Sequence, residues 1–423
     1  MNLALKRISQ HTASILIIGA YMYISVPNFL TSIYAEDGQQ HLQDAIRDGG
    51  IQTLFRTLGG YADLPTRTIA SIIYLASPSL YPLLLAAAVV LVIYFCTIVI
   101  YKSVNPFFQN RNLTILFISV LIVLPIARFE SIGNVANLHF FLFTSSAFVF
   151  LHFLWFKKVD KFQLFFVLFS ALSIPLMVFF FVFLLYQFRA NIKSYKNYRS
   201  LLANPFTFLM VGSIINFILS WGDTETRPPK NANSLLKISY LFLDRVVGSS
   251  FIPFWGRVSS NENVAVISHS PFQSTLLRAI LASAVLIAIL FMISKLETEL
   301  RKFALFTVAM LVLFCILIGR FYNLEPRYCI YPTYLLIFLL FLRFSKLQNR
   351  KVHVFIALFI VLLSFNARVE TESRQDSTNW QLEVKKARDL CKSNPNLLEV
   401  PIQTAPFNSK LQWFLKLSCK QLN

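Results

Sequence analysis

Long apolar runs alternate with short polar ones through most of the chain. The stretch from Leu83 to Tyr101, LLLAAAVVLVIYFCTIVIY, carries no charge. An α-helix needs about 20 apolar residues to cross the hydrocarbon core of a bilayer. Runs of this kind predict membrane segments near 12–34, 83–101, 113–127, 135–156, 162–173, 174–188, 204–221, 274–294, 303–319, 330–344 and 353–367. The expected fold class is all-α: a polytopic helical membrane protein with about 11 transmembrane segments. The first run follows Lys6 and Arg7 as in a signal peptide. At about 20 residues it is too long for a signal core, and no small-x-small cleavage site follows, so it is expected to stay as the first helix. The stretch 162–188 reads as two short segments, because Pro175 in Ser173-Ile174-Pro175 removes a helix donor and clashes one turn back.

Composition agrees with this pattern. Of 423 residues 56% are hydrophobic, 43 are Phe and only 14% are charged, against about 25% charged in an ordinary soluble domain. The formal charge of +19 is read as topology rather than as a nucleic-acid surface, because basic loops stay on the cytoplasmic side. With the hairpin at 162–188, the loops rich in Lys and Arg share one side with the N-terminus, and the C-terminus lies on the other. On the basic side the only acids are Asp160, Glu297 and Glu299; the remaining 17 of 20 lie outside. The chain therefore divides into a transmembrane domain, 1–367, and a polar outer tail, 368–423. Large outer regions fall at 35–82 and 222–273, and the broken apolar stretch Ile238–Phe254 is expected to dip into the interface.

Candidate chemistry lies on the outer side. Glu36 and Asp37 are adjacent carboxylates just after the first apolar run. Two such groups at a lipid boundary repel and raise one pKa, which suits removal of a proton from a hydroxyl. Asp37 with Gln40 also fits a capping box, which would make Asp37 a helix cap and Glu36 a solvated neighbour. Residues 38–48 predict an interfacial amphipathic helix with Leu42, Ala45 and Ile46 on one face, closed by Gly49-Gly50. In Gly59-Gly-Tyr-Ala-Asp-Leu-Pro-Thr-Arg67, Tyr61 and Arg67 can meet a sugar or phosphate, or anchor at the interface. In the turn 128–139, Glu130, Asn134, Asn137 and His139 offer hydrogen bonds that suit a polyol. Further on, Arg320, Arg327 and Tyr328 sit at the outer boundary. Arg suits phosphate through its planar fork of donors, although it also snorkels to headgroups. Cys96 and Cys315 fall mid-membrane and Cys329 at a boundary. Cys391 and Cys419, both in the outer tail, suggest a disulfide. No motif indicates zinc, and no cofactor is expected.

In order, the motifs are Glu36-Asp-Gly after the first helix, Gly60-Tyr-x-x-x-Pro-x-Arg67, Gly133-Asn-x-x-Asn-x-His139, Ser173-x-Pro175 and Arg327-Tyr-x-x-x-Pro332. This layout resembles the multi-spanning GT-C glycosyltransferases, and more narrowly the bacterial and phage serotype-converting glucosyltransferases that modify O-antigen. Where that family usually has Ser-Gly-Pro, this chain has Ser-Ile-Pro. The resemblance implies transfer of a hexose, glucose by analogy, from a polyprenyl-phosphate donor to a lipid-linked O-antigen acceptor, with inversion, on the periplasmic face of the bacterial inner membrane. It gives the role of base to Asp37 or Glu36 and a phosphate role to Arg320, Arg327 or Arg67. It implies no metal, because the lipid phosphate is already a leaving group. The competing readings are an O-antigen polymerase and a flippase for lipid-linked sugars; the latter would call for a charged site at mid-depth.

The predicted topology is directly testable. Reporters fused after Lys351 and after Arg199 are expected to be active only in the cytoplasm, and one fused after Phe365 only in the periplasm. A periplasmic signal at Arg199 would make 162–188 a single span.

Overall fold

In a computed structural model the apolar runs become helices. The structure describes residues 3–26, 28–57, 60–123, 133–184, 204–221, 233–252, 255, 274–322, 324, 326–347, 354, 358, 377, 379–405 and 413–422. Among these, five helices are long and apolar enough to cross a membrane: Pro78–Phe108, Leu138–Phe156, Thr275–Ser294, Thr298–Arg320 and Arg327–Ser345. The shorter apolar helices His11–Ser25, Arg111–Val123, Lys161–Ala171 and Pro205–Ser220 accompany them. The protein is thus helical and membrane-embedded. The expected span 353–367 lies outside the described residues, save Val354 and Leu358.

One helix forms the centre. Helix α6 (Leu138–Phe156) follows α1 (Leu3–Ser25), α2 (Gln43–Asp48), α3 (Leu64–Ile73), α4 (Tyr81–Phe108) and α5 (Arg111–Val123). Every residue of α6 from Leu138 to Leu154 is buried. A helix that is apolar all round belongs in a core, and its Phe side chains explain how this one is packed. Phe148 meets Phe117 of α5 edge-on at 5.7 Å, and Phe143 stacks on Phe180 at 4.6 Å. Such pairs add about 0.5–1.5 kcal/mol each beyond area burial.

The break after Ser173 is present. Helix α7 (Lys161–Ala171) starts in a capping box between Asp160 and Gln163 and stops before an extended Ile174. A 3₁₀ helix, Pro175–Phe183, follows. At about 1.5 Å per residue, α7 covers only about half of a bilayer core. Its loose end packs against α8 (Pro205–Ser220): Asn216 donates to Ala171 O at 3.2 Å. Gly212 permits this contact, since a Cβ there would lie 2.6 Å from that of Ala171.

The stretch expected to dip into the interface, Ile238–Phe254, is helical over most of its described residues. Helix α9 (Leu235–Phe242) runs into a π-helix, Leu243–Gly248, whose Asp244, Val246 and Val247 are buried. Arg278, on α10 (Thr275–Ser294), donates its Nε to Asp244 Oδ1 at 2.8 Å and lies 4.3 Å above the Trp255 ring. Arg245 donates to Leu324 O at 2.9 Å, which ties this element to the turn between α11 (Thr298–Tyr322) and α12 (Pro326–Ser345).

The tail forms a small unit. Helix α13 (Trp380–Ser393) packs on an antiparallel hairpin of β1 (Glu399–Gln403) and β2 (Phe414–Ser418). Cys391 and Cys419 are joined by a disulfide. The first helix ends at Ser25, earlier than the expected 34, with Pro27 two residues on in sequence to discourage continuation. The freed connector receives the tail. Tyr34 bridges Ala405 in parallel, with Ala405 N donating to Ile33 O at 2.8 Å and Ala35 N to Ala405 O at 2.6 Å. Trp380, 2% exposed, donates from its backbone to Thr31 O and from its indole to Pro78 O, at 2.8 and 2.7 Å.

Trp380 is therefore the anchor of the tail. Trp380→Ala should remove about 3–5 kcal/mol of packing and release the unit from the bundle. Limited proteolysis of the membrane-embedded protein should then cut between 368 and 380 faster than in wild type, with the disulfide intact. Equal cutting rates would show that the tail is held elsewhere.

Candidate active site

The first connector builds the floor of the site. A π-helix, Asp37–Leu42, leads into α2, and Gly49 at φ 84° ends it. Leu42 and Ala45 are fully buried, as the amphipathic pattern predicts, with Ile46 half-buried. On the other side, Gln39 and Gln43 accept from the backbone of Phe414 and Lys416 in the tail, at 3.1 and 2.6 Å. Gly38 lets the tail come close: a Cβ there would lie 2.7 Å from Thr404.

Asp37 is not a local cap. Its two oxygens accept backbone N–H groups from Val135 (3.0 Å) and Ala136 (2.8 Å), just before α6, and its exposure is 2%. No side-chain bond caps its own helix. The carboxylate thus anchors the loop that carries Asn137 and His139. Asn137, also buried, donates its backbone N–H to Asn134 Oδ1 at 3.1 Å. Glu36 is half-buried, and its side chain has no hydrogen bond or ion pair among the described residues. It is the member of the pair that is open to a substrate.

Arg67 departs from the sequence expectation. It is 1% exposed and is committed inside the protein. Its guanidinium donates to Asp44 Oδ2 at 2.9 Å, Thr57 O at 3.1 Å and Thr53 Oγ1 at 3.4 Å. A buried Arg needs such a counter-charge, and the pairing pins residues 44–57 to α3. It therefore positions the loop instead of meeting a phosphate. Arg320 is exposed at the end of α11 and donates to Asn233 O at 2.8 Å. Glu130 lies outside the described residues.

Four of the predicted motifs meet. The half-buried Tyr61 stands edge-on to His139 with ring centroids 6.1 Å apart. Tyr328 meets Phe140, next to His139, at 5.1 Å, and Arg327 lies 5.7 Å over the Tyr328 ring. Arg327 also acts electrostatically on His139. The cluster thus runs from the π-helix through the start of α3 and the start of α6 to the start of α12.

Two members were not foreseen. Asp63 is fully buried at the start of α3, with Thr66 Oγ1 and Ser173 Oγ donating to its Oδ1 at 2.9 and 3.3 Å. The segment is held by Leu64 N donating to Leu172 O at 3.1 Å and Ala62 N to Asn216 Oδ1 at 3.3 Å. The helix break at Ser173 is thus a receptor for the Asp63 loop. Burial pushes the Asp63 carboxyl up to about 7, against the pull of its hydroxyl donors and of Arg67, with Asp37 adding to the rise. The other is His41, 1% exposed, with Nε2 3.7 Å from Asp63 Oδ2. Burial, Arg67 and His139 push it down to about 3. It stays neutral, so the 3.7 Å approach is not an ion pair. The signal for Asp63 was visible in Asp-Leu-Pro-Thr-Arg, a helix start with Pro in its first turn, which gives no hint of burial.

Nothing among protein-family models, curated proteins or solved structures matches the chain. The site is therefore judged on its chemistry. Among the described residues no group of three His, Cys, Asp or Glu side chains is arranged to hold a metal ion. What the cluster offers is a carboxyl that titrates near neutrality, the neutral imidazole of His41, a half-buried carboxylate and a half-buried Arg at the edge.

The anchoring role of Asp37 is open to test. An Asn side chain offers one acceptor oxygen for two amides and turns an NH₂ toward the other. A buried donor left unpaired costs about 1–3 kcal/mol. Asp37→Asn should therefore lower the thermal midpoint of the detergent-purified protein, whereas Glu36→Gln should leave it unchanged. An unaltered midpoint for Asp37→Asn would remove the anchor.

Proposed function

We propose that the protein is a glycosyltransferase that moves a hexose from a polyprenyl-phosphate donor to a lipid-linked glycan, with inversion. The observation that carries this reading is the convergence of Asp37, Asp63, His41 and His139 with Glu36, Tyr61, Arg327 and Tyr328 at one end of a bundle of membrane helices. Substrates with a lipid tail and a polar head need such a site, apolar on one side and polar on the other.

In this reading the half-buried Arg327 meets the donor phosphate, and the prenyl chain lies along the apolar helices. Glu36 and Tyr61 face the hexose. The acceptor hydroxyl oxygen bonds to the anomeric carbon as the bond from that carbon to the phosphate oxygen breaks. The electron pair leaves on the lipid phosphate, and the hydroxyl proton passes to the carboxyl cluster around Asp37. The disulfide between Cys391 and Cys419 supports an orientation with the tail in an oxidising compartment, hence a periplasmic site in a bacterial inner membrane. Glucose as the hexose and O-antigen as the acceptor follow only from the motif resemblance.

The assay is transfer of radiolabelled glucose from polyprenyl-phosphate-glucose to lipid-linked O-antigen in membranes that contain the protein. Glu36→Gln, with normal protein levels, should lower transfer roughly 10–100-fold, the range for a lost hydrogen bond to a charged group. No transfer by the wild type from any polyprenyl-phosphate hexose would overturn the reading.

A further inference from the structure

Buried polar atoms in folded proteins almost always have partners, so a facing set without them calls for a ligand. Both ring nitrogens of His41 and Oδ2 of Asp63 have no hydrogen-bond partner among the described residues, although both side chains are buried. The carboxyl is not free to turn and find one. Thr66 and Ser173 fix Oδ1, which leaves Oδ2 directed at His41 Nε2, 3.7 Å away.

That gap is too long for a direct hydrogen bond and has the right chemistry for a third group. An ionised Oδ2 only accepts. A neutral imidazole in the tautomer with its proton on Nε2 donates. A hydroxyl does both at once, and an oxygen about 2.8 Å from each atom would sit beside the 3.7 Å line that joins them. A phosphodiester only accepts and an ammonium only donates, so neither has this pattern. The backbone supports the arrangement: Asp63 is held at φ 42° and ψ 45°, a left-handed conformation uncommon outside Gly, Asn and Asp. Strain of this kind persists where the surrounding structure imposes it, and it clusters at functional sites.

We propose that His41 and Asp63 form a hydroxyl-binding pair in which Asp63 is the proton acceptor for the transfer, with the attacking hydroxyl of the acceptor glycan seated between His41 Nε2 and Asp63 Oδ2. This rests on the transferase reading and assigns its base. The hydroxyl O–H breaks and its proton goes to Asp63 Oδ2. The oxygen bonds to the anomeric carbon, whose bond to the donor phosphate breaks with the electron pair leaving on phosphate. The proton then passes from Asp63 to water. His41 orients the hydroxyl and keeps its own proton. Asp37 positions both, through the loop before α6.

The charged and titratable groups that face Asp63 are His41 and Asp37 from the π-helix and Arg67 from its own helix; Thr66 and Ser173 add uncharged donors. His41 stays neutral, and Asp63, pushed up to about 7, changes near neutral pH. Transfer needs its ionised form. The rate should rise with pH up to about 7 and level off above it, falling about tenfold per unit below. Stability runs the other way. A carboxyl whose pKa is raised on folding loses stability as pH increases from its unfolded value to its folded one. Asp63→Asn escapes that loss, tolerates the left-handed backbone and keeps an acceptor for Thr66 and Ser173.

The test has two arms on the full chain in membranes. In the first, Asp63→Asn is expected to lower glucose transfer about 10²–10⁴-fold, and the wild type to follow the stated pH profile. Glu36→Gln should keep that profile at a lower rate. Near wild-type transfer by Asp63→Asn, or a flat wild-type profile, overturns the proposal. The second arm does not depend on activity. The infrared carbonyl band of a protonated carboxyl should titrate near pH 7 in wild type and be missing in Asp63→Asn, whose melting temperature should exceed wild type at about pH 8 and match it near pH 4. If the wild type transfers no hexose while the band titrates as stated, the transferase reading fails and the protonatable pair stands. If the band is absent, the pair fails even in an active enzyme.

Discussion

Backbone amides in front of a buried helix must find acceptors, and a bundle that excludes water has few to offer. At the start of the central helix, the amides of Val135 and Ala136 find both oxygens of Asp37. The bond lies between the first connector and the most buried helix of the protein, so it fixes the connector to the core. Its consequences spread outward. With the π-helix in place, Asp44 reaches Arg67, His41 faces Asp63, and the tail docks on the opposite side through Gln39 and Gln43. Remove the carboxylate and each of these contacts loses the surface it rests on.

Charge is distributed with the same logic. Among the described residues the bundle buries two ionic centres, and each is closed on itself. Arg67 has Asp44 and two oxygen acceptors; Arg278 has Asp244 and the Trp255 carbonyl. Lone buried charges cost far more than paired ones, so both arginines serve as struts. The half-buried Arg327, stacked beside Tyr328 at the rim, is where a substrate anion would meet a cation without entering the core. The inner part of the site, by contrast, has the neutral imidazole of His41 and a carboxyl poised near neutrality.

Much of this was legible in the chain and some was not, for identifiable reasons. Apolar runs announced the helices, because burial in lipid or core imposes composition over many residues. Pro175 announced the break, and two Cys in a polar tail announced their link. Leu42 and Ala45 followed from helical periodicity. The role of Asp37 did not, because its partners are 98 and 99 residues away while the local Asp37–Gln40 spacing mimics a cap. Arg67 misled for a similar reason: an arginine looks alike whether it is buried against Asp44 or free at a surface. Asp63 was hidden by its own neighbours, since a helix start accounts for an Asp before Leu-Pro. Only the convergence of His41, Ser173 and Arg67 around it changes its chemistry, and no linear pattern carries that information. Apolar length alone does not separate a full crossing from a half-length helix such as Lys161–Ala171; among the described residues five helices are long enough to cross.

The pairing of the tail with the first connector has a consequence for the order of assembly. Residues near 31–43 leave the ribosome well before their partners, and their backbone acceptors and Gln side chains wait for Trp380, Ala405, Phe414 and Lys416, which are made far later. During synthesis the helix that carries Glu36 and Asp37 has one face without its cover. That face is completed when the tail has folded its hairpin, closed its sulfur bridge and docked. The connector that carries Glu36 and Asp37 thus stays unfinished until the tail has been made, and translation itself supplies the delay.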